Sequence, residues 1–95
     1  MGVRENKVEN YLDKEVSKIG GVTRKWVCPG RDGVPDRIVI LNDGVYFVEV
    51  KTVDGRLSKN QQREHKKLCS KGAIVFTVYG NNDVDQFIKV MLKNE

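Results

Sequence analysis

Cysteine and histidine are nearly missing from this chain. Cys28 and Cys69 are the two cysteines and His65 the one histidine among 95 residues. Two isolated cysteines form neither a framework of bridges nor the paired spacing of a zinc site. A single histidine rules out a cluster of imidazole ligands. No apolar run approaches the roughly 20 residues that span a bilayer. Nothing resembles a secretory signal, so a reducing, cytoplasmic setting is the expectation. Repeats and low-complexity segments are absent. No glycine-rich loop closes on Lys-Ser or Lys-Thr, which removes nucleotide-driven chemistry from consideration.

Charge is plentiful by comparison. Lys and Arg number 17 against 13 Asp and Glu, a formal net charge of +4. Its distribution says more than its total. Residues 51–71 hold Lys51, Arg56, Lys59, Arg63, Lys66, Lys67 and Lys71 against only Asp54 and Glu64. A basic stretch of this kind fits a polyanion, and it also fits a solvated helix face. The length predicts one domain over residues 1–95, with a modest core and little stability to spare. Self-association is a reasonable expectation for such a chain.

Periodicity divides the sequence into seven elements. Val8, Leu12, Val16 and Ile19, with Tyr11 at their edge, predict a helix over 4–19 that Gly20-Gly21 stops. Strands are predicted over 22–28, 37–41 and 45–51, with a tight turn at Asn42-Asp43-Gly44. Ser58 is a good N-cap for a helix over 59–71 that Gly72 closes. A strand over 73–79 and a helix after Asn81-Asn82-Asp83 complete the order α-β-β-β-α-β-α. The β-helix-β unit argues for an α/β fold, a mixed sheet flanked by helices.

Asp36, on a Pro-Asp step, and Glu49 come to the same end of the predicted hairpin. The turn pairs residues near 37 with those near 49 and 50. Like charges so placed repel unless a cation lies between them. Alternation puts Phe47, Glu49 and Lys51 on one face and Tyr46, Val48 and Val50 on the other. Two acids can hold Mg²⁺ or Mn²⁺, and the Val50 carbonyl adds a further oxygen. Such an ion polarises a phosphate and acidifies water, with Lys51 placed to orient the water and offset developing charge. A surface Glu-Lys pair near a turn Asp is the competing reading.

Gly33-Val34-Pro35-Asp36-Arg37, then Phe47-Val48-Glu49-Val50-Lys51, then Gly55, Leu57, Ser58, Gln61, Leu68 and Gly72 together resemble the virus-type replication-repair nuclease (VRR-NUC) domain family of the PD-(D/E)XK superfamily. The resemblance extends over nearly the whole chain. It implies a restriction-endonuclease-like fold and a metal-dependent DNA endonuclease, with Asp36, Glu49 and Lys51 as the matching catalytic residues. The stand-alone phage and bacterial form is the one implied, a homodimer suited to branched DNA such as four-way junctions. If the chain is phage-encoded, its setting is the bacterial host cell, where a phage or host replication or repair partner is possible. Flaps, nicked duplex or RNA are alternative substrates. A non-catalytic nucleic-acid-binding module and a structural protein with a basic face are the alternatives outside catalysis.

The family also places an acid in the first helix, near the metal. At about 100° per residue, Glu5 lies roughly 50° from the centre of the apolar stripe and Glu9 roughly 90° away. Glu5 is therefore chosen as the metal-side acid. Glu9, expected to face solvent or a partner, stays the alternative. The Gln61 amide can bond a phosphate or a metal-bound water, although a glutamine in a first helical turn is ordinary. His65 shares its helical face; a neutral imidazole there can act as base, ligand or phosphate contact, auxiliary if it touches the substrate, and packing or surface contact is the favoured reading. Arg24, Lys25, Arg31 and Arg37 around the loop over 29–35, with Lys59 and Arg63, are the expected backbone contacts to nucleic acid. Trp26 is read as a packing residue. Without a helix-turn-helix or zinc-finger pattern, backbone and shape are the expected basis of recognition.

Overall fold

Alternation along one strand sorts the chain into two unequal faces. In the computed structural model, which describes residues 3–93, the elements are α1 (Val3–Lys18), β1 (Val22–Lys25), β2 (Arg37–Leu41), β3 (Gly44–Lys51), α2 (Lys59–Ser70), β4 (Val75–Tyr79) and α3 (Gly80–Lys93). The sheet order is β1-β2-β3-β4, with β1/β2 and β2/β3 antiparallel and β3/β4 parallel. This is the expected order and the expected mixed sheet. The first strand is shorter than its sequence predicts. Trp26 N still donates to the Asp36 carbonyl at 2.9 Å, but the chain then leaves the sheet toward Pro29.

Tyr46, Val48 and Val50 of β3 point to one side, with Val39 and Leu41 of β2 and Val78 of β4. Helices α1 and α3 cover that side with Val8, Leu12, Val16, Val84, Phe87, Ile88 and Met91. Tyr11 pins the two helices together by donating to Asp85 at 2.6 Å. At the end of α1, Gly20 takes a φ of +84°, which only glycine adopts readily. Gly21 N then bonds back to the Val16 carbonyl at 2.9 Å, closing the helix.

The other side of the sheet carries Phe47, Glu49 and Lys51 and is covered less completely. Helix α2 lies over its β4 side. Trp26 packs on Phe47 with ring centroids 5.1 Å apart, the packing role expected of it. Val22, Ile40 and Val45 are neighbours across β1, β2 and β3 and remain 41%, 40% and 49% exposed. No helix among the described residues is long and apolar enough to cross a membrane.

Leu12 is fully buried at the meeting of α1 with the sheet. Leu12→Ala is expected to lower the unfolding free energy by about 2–5 kcal/mol, the cost of lost transfer energy plus a cavity. A urea titration followed by circular dichroism measures it.

Candidate active site

The hairpin turn is tighter than expected, and this sets the site. Leu41 pairs with Gly44, so the turn has two residues and Arg37 falls opposite Val48. Sequence alone pairs position 37 with 49 or 50; the difference arises because Gly44 belongs to the strand. Continuing the register places Asp36 directly across from Glu49.

Beyond Arg37 the backbone ladder gives way to side chains. The Trp26 N–H on the Asp36 carbonyl turns the Asp36 backbone toward β1, and the Phe47 N–H on the Ile74 carbonyl turns Phe47 toward β4. By alternation, Pro35 and Val50 then present their backbone groups to each other. Proline has no N–H, so the ladder offers the Val50 carbonyl no donor. The Val50 N–H donates instead to Asp36 Oδ2 at 2.9 Å. The Pro-Asp step thus removes one backbone donor and supplies a carboxylate at the same rung. The Val50 carbonyl thus faces a residue without an N–H, beside two acids.

Glu49 is 2% exposed. Its Oε2 accepts from Gln61 Nε2 at 3.1 Å and lies 3.8 Å from Lys51 Nζ. Its Oε1 is buried without a hydrogen-bond partner and faces His65 Nε2, equally unpartnered, at 3.6 Å. Burial, with the adjacent Asp36 carboxylate adding to it, pushes the Glu49 carboxyl up to about 8. Lys51 opposes that shift without cancelling it.

Helix α2 reaches Glu49 through its own cap. Ser58 and Gln61 form a reciprocal capping box: Gln61 N donates to Ser58 Oγ at 3.1 Å, and Ser58 N donates to Gln61 Oε1 at 2.8 Å. The amide oxygen of Gln61 closes the helix start while its nitrogen holds Glu49. Gln61 is therefore turned toward the acid rather than toward a phosphate. The loop before Asp36 docks on the same helix. Gly33 has a φ of +90°, and a Cβ there would stand 2.6 Å from the Asn60 carbonyl oxygen. Arg31 Nη1 donates to Glu64 Oε1 at 3.2 Å. The Gly33 backbone beside His65 favours its charged form, against the burial that lowers its pKa.

Three expectations are corrected by this geometry. Glu9 does not face solvent; it is 3% exposed, with Oε1 unpartnered. Burial raises its carboxyl, Arg37 opposes this and Asp36 adds to it. The apolar stripe could not show this, because the compensating charge rises from the sheet. Glu5 is half-buried and its charge also reaches Glu49, but Glu9 is the deeply placed acid of α1. Arg37 is not a phosphate clamp. It lies on the helix-covered face, its side chain 13% exposed, with Nε and Nη2 both 3.2 Å from the Asp13 carboxylate and Nη2 3.9 Å from Glu9. The alternation that carries Asp36 to one face carries Arg37 to the other. His65 is not a surface contact either, being 7% exposed.

The remaining basic positions are exposed. Arg24, beside Ile38 in register, donates to the Thr23 carbonyl at 2.7 Å, and Lys25 lies next to it on the edge strand. Lys59 and Arg63 stand on the outer side of α2, Arg63 donating to Asn60 Oδ1 at 2.9 Å. Arg31, Arg63 and Lys67 line a shallow depression of about 400 Å³. Sequence reasoning missed Glu64, which is buried and anchors the loop through Arg31. Only the pairing partner, 33 positions away, marks it.

Among the described residues, no three Asp, Glu, His or Cys side chains form a ready-made metal cluster. Asp36, Glu49 and the Val50 carbonyl are nonetheless a hard-oxygen donor set of the kind Mg²⁺ and Mn²⁺ take. Glu49 Oε1, buried without a hydrogen-bond partner, is a donor such an ion could take. An acid at the mouth of a hairpin, opposite Glu-x-Lys and beside a parallel strand and its crossover helix, defines the PD-(D/E)XK class of nuclease folds.

Comparison with known proteins agrees. No family model matches the chain. It is 46% identical over 71 residues to "Putative nuclease p44" of Acyrthosiphon pisum secondary endosymbiont phage 1, covering 74% of this chain and 76% of that protein. A solved structure described as "VRR_NUC domain" superposes with a TM-score of 0.86 at 37% identity, covering 93% of this chain and 97% of that one. The chain belongs to the VRR-NUC domain family of nucleases.

Two outcomes follow from the environment of Glu49. Gln61→Glu keeps the capping box, since glutamate serves equally at that position. It also sets a second carboxylate against Glu49 Oε2. The helix is expected to persist by circular dichroism, while the Glu49 carboxyl, followed by ¹³C NMR titration, moves above its native value of about 8. The second outcome concerns pH. Folded Glu49 keeps its proton to about 8 and the unfolded chain only to about 4.5. Between these limits the folded state binds more protons, so stability falls as pH rises and the loss is complete above about 8. Burial of Glu9 acts in the same direction. Buried His65, pushed below its ordinary 6.5, opposes this only at lower pH, where the unfolded imidazole gains a proton. In EDTA, the thermal midpoint is expected to fall between about pH 6.5 and 8, and Glu49→Gln is expected to flatten that slope.

Proposed function

We propose that this protein is a divalent-metal-dependent DNA endonuclease that hydrolyses phosphodiester bonds in branched DNA, with four-way junctions as the favoured substrate. The observation that carries the reading is buried Glu49 facing half-buried Asp36, with Glu49 Oε1 unpartnered and Lys51 Nζ 3.8 Å from its Oε2. Asp36, Glu49 and the Val50 carbonyl would hold Mg²⁺ or Mn²⁺, with Glu9 or Glu5 assisting from α1. When bound, such an ion supplies positive charge that polarises the phosphate and acidifies the attacking water.

The chain's own groups do the rest. Lys51 orients the water and meets charge that develops on the phosphate. Gln61 acts through Glu49, holding one carboxylate oxygen so that the other is free. Exposed Arg24, Lys25, Arg31, Lys59 and Arg63 bind backbone phosphates around the scissile bond. These contacts carry no base information, which suits selection by shape. The exposed Val22–Ile40–Val45 row supports a homodimer, in which two sites would act on opposite strands. One domain over residues 1–95, acting in the cytoplasm of a bacterial host cell, completes the reading.

The test is cleavage of labelled four-way junction, flap, single-stranded and linear duplex DNA with Mg²⁺, Mn²⁺ or EDTA. Paired symmetric cuts in the junction are expected, abolished by EDTA and reduced at least about a hundredfold in Glu49→Gln. Metal-dependent cutting confined to another structure replaces the substrate. Binding without cleavage under any metal overturns the enzymatic reading.

A further inference from the structure

His65 is the one buried imidazole beside the acids, and the proposed hydrolysis does not use it. Its Nε2 stands 3.6 Å from Glu49 Oε1, and neither atom has a hydrogen-bond partner. Both side chains are at least nine-tenths buried, at 9% and 2% exposed. A gap of 3.6 Å is too wide for a hydrogen bond. It is close to the roughly 3.0–3.5 Å between two donor atoms that share one ion at ordinary ligand distances.

The rest of the imidazole is arranged for that task. The Gly33 backbone lies beside the ring. In the neutral tautomer with its proton on Nδ1, the Nε2 lone pair is turned toward Glu49. In histidines that bind metals, a carbonyl near the second nitrogen commonly fixes tautomer and orientation. Gly33 is itself held against α2 by its approach to Asn60. Both atoms are buried and neither has a hydrogen-bond partner, so one electropositive group between them would satisfy both.

We propose that His65 Nε2 is a metal ligand, sharing a divalent cation with Glu49 Oε1 and adding a nitrogen to the oxygen donors of Asp36 and Val50. This inference rests on the metal-dependent reading above and deepens it. A nitrogen ligand favours Mn²⁺ over Mg²⁺, which takes oxygen donors and keeps its waters. His65 thereby becomes the residue that sets the metal preference of the site.

His65 is the only histidine in the sequence, so a tag-free protein carrying ¹⁵N-histidine has one labelled imidazole. Pulsed EPR of bound Mn²⁺ is expected to show the coupling of a directly bonded ¹⁵N. Manganese bound without that coupling overturns the proposal, whatever its effect on activity. In His65→Gln the coupling is expected to vanish and the ratio of Mn²⁺ to Mg²⁺ affinity, measured by calorimetry, to fall about tenfold. An unchanged ratio in a folded variant also overturns it. If the variant fails to fold, the EPR result on the native chain decides alone. Metal-dependent cleavage without nitrogen coupling removes this inference and leaves the proposed function intact. Absence of metal-dependent cleavage removes the proposed function, whatever the EPR shows.

Discussion

Two carboxylates facing each other across one rung of a hairpin repel, and the surroundings of the rung are arranged to hold them there. At Glu49 the repulsion adds to the cost of burial, and together they lift its carboxyl to about 8. Asp36 is held by the Val50 N–H, and Glu49 by the Gln61 amide on one oxygen. Lys51 contributes charge at 3.8 Å, too far for a hydrogen bond. These contacts locate both acids and leave Glu49 Oε1 without a partner. A protein selected for stability alone would place apolar side chains here. Retaining the charge makes sense where a cation is to be bound.

Helix α2 and the loop over 29–35 behave as a single support for this rung. The loop reaches α2 where Gly33 approaches Asn60 and through Arg31 on Glu64. Gln61 and His65, one turn apart, address the two oxygens of the same carboxylate. The capping box ties the helix start to this grip, because Gln61 uses one end of its amide for the cap and the other for Glu49. A shift of α2 would therefore disturb Asp36 and Glu49 together. Precision at the site comes from regular elements and a docked loop, as a preorganised constellation requires.

On the other side of the sheet, Arg37 allows acids to be buried under α1. It joins Asp13 with two parallel contacts and leaves Glu9 near, at 3.9 Å. Its fixed fork suits this bidentate task. The arrangement brings a third carboxylate toward Asp36 through the body of the protein rather than across its surface. It also divides the basic residues by role. Arg37 belongs to the interior, whereas Arg24, Lys25, Arg31, Lys59 and Arg63 remain available on the outside.

Local pattern determined much of this protein. Alternation along positions 45–51, the apolar spacing of α1 and α3, the Ser58 cap of α2 and the glycine stops specified the elements and their order. The Pro-Asp and Glu-x-Lys motifs, read with the intervening turn, specified which acids meet. These are short-range properties of period, capping and chain reversal, and a linear sequence carries them. Only the tertiary structure decided the fate of residues whose environment comes from elsewhere in the chain. Glu9 is polar on a helix flank and reads as exposed until Arg37 is seen rising beneath it. His65 and Glu64 sit in a basic helix and read as surface until the loop packs on them. Whether a charged side chain faces water or the interior depends on its compensating partner, and here the partners lie 12 to 33 positions away.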